Sequence, residues 1–203
     1  NPFSGTDTYK SIADLPLKQR VEAMRKKEIK KKILSEDPIK GSTFPLINRI
    51  GYSQMYRFGS PPNYNPKPEH SIESLAKVGG ISSAELAYDV LLENEGNNFI
   101  YAPLVNYADN TFGVCQKMLE DKNAIMGLGD GGAHVGFILD AGYPTWLISY
   151  WSVKKKVFSM EETIRRLTSD TALAAGLQDR GYLKVGLKAD INIIDWEKVG
   201  SSD

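Results

Sequence analysis

Cysteine and histidine are scarce in this sequence. The 203 residues include one cysteine, Cys115, which excludes an internal disulfide and fits a reducing compartment. Cys115 falls on the apolar stripe of a predicted helix, which indicates a core residue rather than a nucleophile. Of the two histidines, His70 ends the loop GSPPNYNPKPEH, where an exposed residue is expected rather than a metal ligand.

Net charge and long apolar runs are absent as well. The 25 basic and 25 acidic residues give a formal net charge of zero, so no global field favours nucleic acid or an anionic membrane surface. No apolar run approaches the ~18 residues of a membrane span, and nothing near residue 1 resembles a signal peptide. We therefore expect a soluble, cytoplasmic protein with no nucleic-acid partner and no membrane partner.

The first 80 residues predict helical and loop structure. Apolar residues recur at helical spacing across residues 15–35, and Pro38 ends the pattern. The opposite face of this predicted helix carries Arg20, Arg25, Lys26, Lys27, Lys30, Lys31 and Lys32. A solvated helix surface and a patch for nucleic acid or an acidic partner are both open, and the diluting acids Glu22 and Glu28 favour the first.

Regular elements follow from residue 81. Ser82 and Glu85 have the spacing of a capping box, which predicts a helix start, and Ser159 and Glu162 repeat it. Short strands are predicted at residues 99–102 and 124–128, on either side of the helix that carries Cys115. This order implies two adjacent parallel strands with a right-handed connection. Alternating apolar residues across 189–193 predict a final half-buried strand.

The segment AIMGLGDGGAHVG, residues 124–136, places a single acid in a glycine-rich turn. Its apolar start suits a buried parallel strand. Asp130 follows at the carboxyl end of that strand, where α/β folds mount catalytic side chains. From the residues alone, catalysis and the capping of a turn or helix explain Asp130 equally well.

The end of the chain carries a family signature. TSDTALAAGLQDRGYLKVGLKADINIID resembles the C-terminal signature of the amidohydrolase superfamily, in which a helix ending in Gly-Leu leads through a Gly-x-x-Ala-Asp turn into a strand of a small β domain. Together with GLGDGGAH and YPTWLISYW, it is similar to the branch of N-acyl-D-amino-acid deacylases, or D-aminoacylases. The start, NPFSGTDTYKSIADLPLKQRVEAMRKKEIKKKIL, is similar to the segment that follows the sixth barrel strand in that branch.

The resemblance implies an α/β fold, the C-terminal part of the TIM (β/α)8 barrel of a metal-dependent hydrolase. Strands 7 and 8 correspond to residues 99–102 and 124–128. The implied division is a helical and loop insertion in residues 1–80, the barrel part in residues 81–182, and a return into the small β domain in residues 183–203. The chain is thus expected to be a fragment, incomplete and inactive alone.

The resemblance also implies site residues. Asp130 is the expected general acid/base on a metal-bound water and one ligand of a zinc ion. The family's other metal ligands have no counterpart here, so zinc is expected in the complete enzyme, and this chain alone is not required to bind any. No arginine stands between Asp130 and Trp151 to hold a substrate carboxylate, as a His-Pro-Arg motif does in closer D-aminoacylases. His134 is predicted to bind substrate in its place, or else to be a hydrogen-bonded turn residue, and Asn106 is predicted to bind substrate too.

The predicted activity is hydrolysis of the amide bond in N-acyl-D-amino acids or related small molecules. The alternatives are a cyclic-amide hydrolase of the hydantoinase or dihydroorotase kind, a non-catalytic binding or scaffolding module, and a basic-helix module for nucleic acid. Half a barrel leaves open sheet edges and uncovered apolar faces, which invite pairing. We therefore expect a homo-oligomer.

Overall fold

Helices make up most of the regular structure, and the sheet is small. The structure, a computed structural model, describes residues 1–40, 50–60, 62–103, 106–107, 109–127, 129 and 140–200. Its chain divides into two units, Asn1–Cys115 and Gln116–Asp203. The mixed, mainly helical architecture agrees with the predicted α/β class only in part, because a barrel is not formed by the described residues. The predicted boundaries near residues 80 and 182 stay predictions.

The first unit packs its helices around one apolar core. That core contains Phe3, Ile12, Met24, Ile33, Met55, Ile72, Ala87, Tyr88 and Val90. The regular elements are α1 (Asp7–Lys10), α2 (Leu17–Met24), α3 (Lys27–Ser35), β1 (Tyr56–Arg57), α4 (Ile72–Gly79), α5 (Ser83–Leu92), β2 (Ile100–Tyr101) and α6 (Gly113–Glu120), which continues past the unit's end. Short 3-10 turns lie at Tyr52–Gln54, Pro68–His70 and Glu93–Gly96. His70 is exposed on the second of these turns, as predicted.

The predicted helix across residues 15–35 is two helices, α2 and α3. The helix is interrupted at Lys26, whose backbone is extended. Three of the seven basic residues are engaged within the unit. Lys30 Nζ lies 2.6 Å from Asp89 Oδ1, and Arg25 Nη2 lies 2.9 Å from Glu95 Oε1. Arg20 donates to the Ala13 carbonyl at 2.7 Å. These contacts favour a helix surface over a patch for nucleic acid or an acidic partner.

Both predicted helix starts are confirmed, since the caps are made as the spacing requires. The Ser82 hydroxyl accepts from the Glu85 amide at 3.1 Å, and the Ser159 hydroxyl accepts from the Glu162 amide at 3.1 Å. The carboxylate of Glu85 lies 3.4 Å from Lys30 Nζ and thereby links α5 to α3. Helix α4 ends at Gly80, whose φ of 66° is a left-handed conformation that favours glycine.

The sheet differs from the predicted strand arrangement. Strand β2 falls within the predicted residues 99–102, but its partner is β1, paired antiparallel with Tyr56 opposite Tyr101. Residues 124–127 form no strand, so the predicted parallel pair is wrong for the described part of the eighth strand. A strand exists only where a neighbouring backbone accepts its hydrogen bonds, and the described residues place none beside 124–127.

The second unit is helical and then irregular. Its elements are the end of α6, a 3-10 turn (Asp140–Gly142), α7 (Tyr143–Trp146), a π-helix (Leu147–Lys154), α8 (Met160–Leu167) and α9 (Ser169–Ala174). The buried apolar side chains of this unit are Leu147, Ile148, Tyr150, Trp151, Phe158 and Ala172. The sequence predicts a short helix that Ser169 or Asp170 caps and Gly176 ends. Gly176 ends α9 with a φ of 72°, which confirms the predicted helix end. The N-cap position is held by Thr168 rather than by Ser169 or Asp170, and its side chain makes no capping hydrogen bond.

The buried face of α8 is polar, contrary to its apolar pattern. The sequence places Met160, Ile164 and Leu167 on one stripe, yet Met160 is 48% exposed. Thr163 and Arg166 are the buried residues of this helix. An arginine buries its aliphatic stem readily when its guanidinium finds partners, and hydrophobic spacing does not register this.

The last part of the chain carries no strand. Residues 189–193 have no ladder partner among the described residues, so the predicted final strand is not formed. Val185 and Ile193 are fully exposed, at 100% each. Alternation of apolar residues indicates a strand only when another backbone lies alongside, and the described residues place none there. In the part of the chain that the structure describes, no helix has the length and apolar character needed to span a membrane.

Candidate functional site

Only one of the three predicted site residues can be placed. Asp130 and His134 lie outside the described residues, and so does Leu128, which precedes the glycine-rich turn. Asn106 is described and its side chain is exposed. That the three residues meet in one pocket therefore stays a prediction.

Asn106 belongs to a loop that follows β2. We call the described residues of this loop, Asn106, Tyr107, Asp109 and Asn110, the asparagine loop. Asn106 has a φ of 62° and Asn110 a φ of 57°. Left-handed backbone is uncommon for residues with a side chain, although asparagine tolerates it better than most. A loop with two such residues needs contacts from outside to hold it.

Tyr107 supplies the deepest of these contacts. Its side chain is buried, with 3% of the residue exposed. Its hydroxyl oxygen lies 2.7 Å from Asn65 Oδ1 and 2.9 Å from the Pro66 carbonyl oxygen. A phenol has one proton, so it donates to one of these two oxygens at a time or is shared between them, and both oxygens hold the hydroxyl at this position. The Tyr107 ring also lies 4.8 Å from that of Phe112, measured between centroids.

Two further hydrogen bonds hold the ends of the asparagine loop. The Cys115 thiol donates to the carbonyl oxygen of Asn106, with Sγ 3.2 Å from that oxygen. The hydroxyl of the buried Tyr56 lies 3.0 Å from Asn110 Oδ1. Burial raises the pKa of the half-buried Cys115 thiol above its ordinary value, which keeps it protonated at neutral pH. The raised pKa agrees with the prediction that Cys115 is not a nucleophile. The predicted place in the core is wrong, because Cys115 is only half-buried and α6 has no buried residue.

The acid of the asparagine loop has a local role. The Asp109 carboxylate accepts from the Thr111 hydroxyl at 2.9 Å and from the Thr111 amide at 3.2 Å. These bonds, the hydroxyl first, hold the pKa of Asp109 below its ordinary value. Asp109 is thus a stable carboxylate that shapes the turn before α6.

Comparison with known protein families decides the class of this chain. The model of the amidohydrolase family matches residues 3–201. The chain belongs to the amidohydrolase family. It is therefore a hydrolase by family, and hydrolases of this family act on C–N bonds. No curated protein and no solved structure gave a significant match.

Amidohydrolases are generally metal-dependent, and a metal site needs several ligand side chains close together. Among the described residues, no three or more His, Cys, Asp or Glu side chains lie close enough together to hold a metal ion. Three protein ligands are the usual minimum for a catalytic zinc site. The described residues by themselves therefore do not form a catalytic metal site.

The contacts of the asparagine loop were not predicted from the sequence. The sequence places all three residues that make these contacts, Tyr107, Tyr56 and Asn65, in loops. Tyr56 and Asn65 are also distant along the chain from the asparagine loop that they contact. A local signal was present in NYADN, where two asparagines bracket a tight turn. That signal predicts left-handed residues, but it cannot identify the hydroxyl acceptors.

Proposed function

We propose that this amidohydrolase hydrolyses the amide bond of N-acyl-D-amino acids or closely related small amides. The observation that carries the proposal is the family match over residues 3–201, which includes the segment GLGDGGAH with its one acid. The downstream YPTWLISYW and the C-terminal signature support the D-aminoacylase branch within that family.

Three residues have roles in this proposal. Asp130 is the general acid/base, which takes a proton from the attacking water and returns it to the leaving amine. Asn106 and His134 bind the substrate through donors that suit its carboxylate or acyl oxygen. Support for Asn106 comes from its exposed side chain on a loop that buried groups hold in place.

We also propose that the complete enzyme uses zinc, with Asp130 as one ligand. When bound, zinc polarises a carbonyl and acidifies water. The described residues alone bring together no metal-binding group, and the proton transfer proposed for Asp130 needs only its carboxylate and the attacking water. The remaining ligands have no counterpart in this sequence, so the 203 residues alone are proposed to be inactive.

The test of the activity is a substrate panel. The natural polypeptide that carries these residues is incubated with zinc and with N-acetyl-D-amino acids, their L enantiomers, hydantoin or dihydroorotate, and amine release or ring opening is measured. We expect the D-amides to exceed the L-amides by about 10²-fold or more in kcat/KM, because a misplaced carboxylate leaves buried donors unpaired. Ring opening alone points to the cyclic-amide alternative, and no turnover with intact folding points to a binding module.

We propose in addition that this protein is a homo-oligomer and that residues 183–193 contribute to its interface. This segment exposes Leu183, Val185, Ile191 and Ile193, and grouped exposed apolar side chains are typical of interaction surfaces. Its alternating pattern suits pairing with the edge of another chain.

Replacing Ile193 with aspartate should weaken that association. Burying one isoleucine stabilises an interface by about 1.5–3 kcal/mol, so the dissociation constant should rise roughly 10- to 100-fold. Size-exclusion chromatography with light scattering across a dilution series measures it. Val78→Asp is the matched control, because Val78 is also exposed (88%) but lies on α4 of the first unit. A monomer at every concentration contradicts the proposal.

A further inference from the structure

The asparagine loop is held more firmly than an exposed surface loop requires. Its two ends are bonded by Cys115 and Tyr56, and its middle is anchored by Tyr107. Asn106 is the exposed member next to the deepest anchor. Groups that bind substrate gain from this arrangement, since a donor fixed beforehand loses less entropy on binding.

Tyr107 is the anchor that connects the loop to a second segment. Its hydroxyl reaches Asn65 and Pro66, which lie in the irregular chain between β1 and α4. The peptide plane that joins Tyr107 to Asn106 therefore has one end fixed by a buried ring. On the other side, the Asn106 carbonyl is fixed by the Cys115 thiol. Together these contacts limit rotation of the Asn106 backbone in its left-handed conformation.

We propose that Tyr107 is a positioning residue, whose buried hydroxyl holds Asn106 in the orientation that binds the carboxylate or acyl oxygen of the substrate. The inference rests on the proposed amide hydrolysis. Tyr107 itself does not touch the substrate in this proposal. Its contribution is transmitted through the backbone of Asn106.

The test compares two tyrosine hydroxyls in the same unit. Tyr107→Phe removes the bonds to Asn65 and Pro66 and keeps the ring. Tyr88→Phe is the matched control, because the equally buried Tyr88 hydroxyl donates to the Met24 carbonyl at 2.8 Å within the core. In the natural polypeptide acting on an N-acetyl-D-amino acid, we expect Tyr107→Phe to raise KM about 5- to 10-fold with kcat within about twofold. Tyr88→Phe should leave KM unchanged.

A double-mutant cycle with Asn106→Ala separates positioning from general loosening. If Tyr107 acts through Asn106, the effect of Tyr107→Phe on KM should disappear in the Asn106→Ala background. The same rise in KM in both backgrounds overturns the proposal. A KM change in Tyr88→Phe equal to that in Tyr107→Phe overturns it too, since loss of stability then explains both.

Amide hydrogen exchange keeps this inference distinct from the proposed activity. The Asn110 amide donates to the Tyr107 carbonyl at 3.1 Å, so Tyr107→Phe should speed its exchange at least tenfold, and Tyr88→Phe should not. Unchanged exchange at this amide overturns the positioning role even if the substrate amides are hydrolysed. Failure of the unchanged protein to hydrolyse any amide overturns the proposed function, and with it the role of Asn106 in substrate binding, whatever the exchange shows.

Discussion

Replacing Asp130 with asparagine should lower kcat for an N-acyl-D-amino acid by about 10²–10⁴-fold, the range typical of a lost general acid/base. Asparagine has nearly the same shape but cannot accept a proton from water or return one to the amine. Substrate binding depends on other side chains, so KM should stay within about threefold. Steady-state amine release by the natural polypeptide measures both constants.

The control for this change is Asp121→Asn. Asp121 is an exposed acid shortly before the glycine-rich segment, and its carboxylate accepts from the Asn123 amide at 2.8 Å. It should retain kcat within about twofold, since its role is a local turn. A loss of less than tenfold in Asp130→Asn, or an equal loss in both variants, would refute the role of Asp130. Thermal melting of both proteins shows whether either change acts through unfolding.

The second large effect is expected at Arg166. Its guanidinium donates to the Leu119 carbonyl at 2.7 Å and to the Glu162 carboxylate at 2.9 and 3.1 Å. It also lies over the Phe158 ring, 4.4 Å from the centroid. The side chain is only 10% exposed. Arg166 therefore ties α8 to the end of α6 within the second unit.

Arg166→Ala should lower the free energy of unfolding by about 2–4 kcal/mol. The loss combines the carbonyl left without its donor, the broken charge pair and the missing contact over Phe158. Chemical denaturation followed by tryptophan fluorescence measures it, because Trp146 and Trp151 lie in the same unit.

The neighbouring Arg165 provides a control for charge. It pairs with Asp170 at 2.8 Å, but its side chain is 54% exposed. Arg165→Ala should therefore cost less than about 1 kcal/mol, as expected of a surface ion pair. Equal destabilisation by the two alanine variants would mean that burial of Arg166 contributes nothing beyond its charge.

The sequence by itself determined the elements whose signals are local. Ser82 and Ser159 cap their helices as predicted, and Gly176 ends α9. Capping bonds and helix ends involve residues within about one turn of each other, so the sequence window contains all of their physics. The family was likewise evident from motifs in order along the chain.

Of the three predicted site residues, Asn106 is the one that lies among the described residues. Asn106 lies on a loop after β2, as its position in the sequence suggested. The anchors of that loop, Tyr107 on Asn65 and Tyr56 on Asn110, join segments distant along the chain. No local pattern specifies which acceptor a buried hydroxyl reaches, because this depends on how the segments pack. The roles of Asp130 and His134 stay predictions.

Only the tertiary structure decided the strands and the face of α8. Strand β2 pairs with β1, whereas residues 124–127 and 189–193, with equally suitable side chains, form none. A strand is stabilised by hydrogen bonds to another backbone, and alternation of apolar residues states a preference without providing that partner. Arg166 is buried for the same reason, because the Leu119 carbonyl and the Phe158 ring come to it from other parts of the chain.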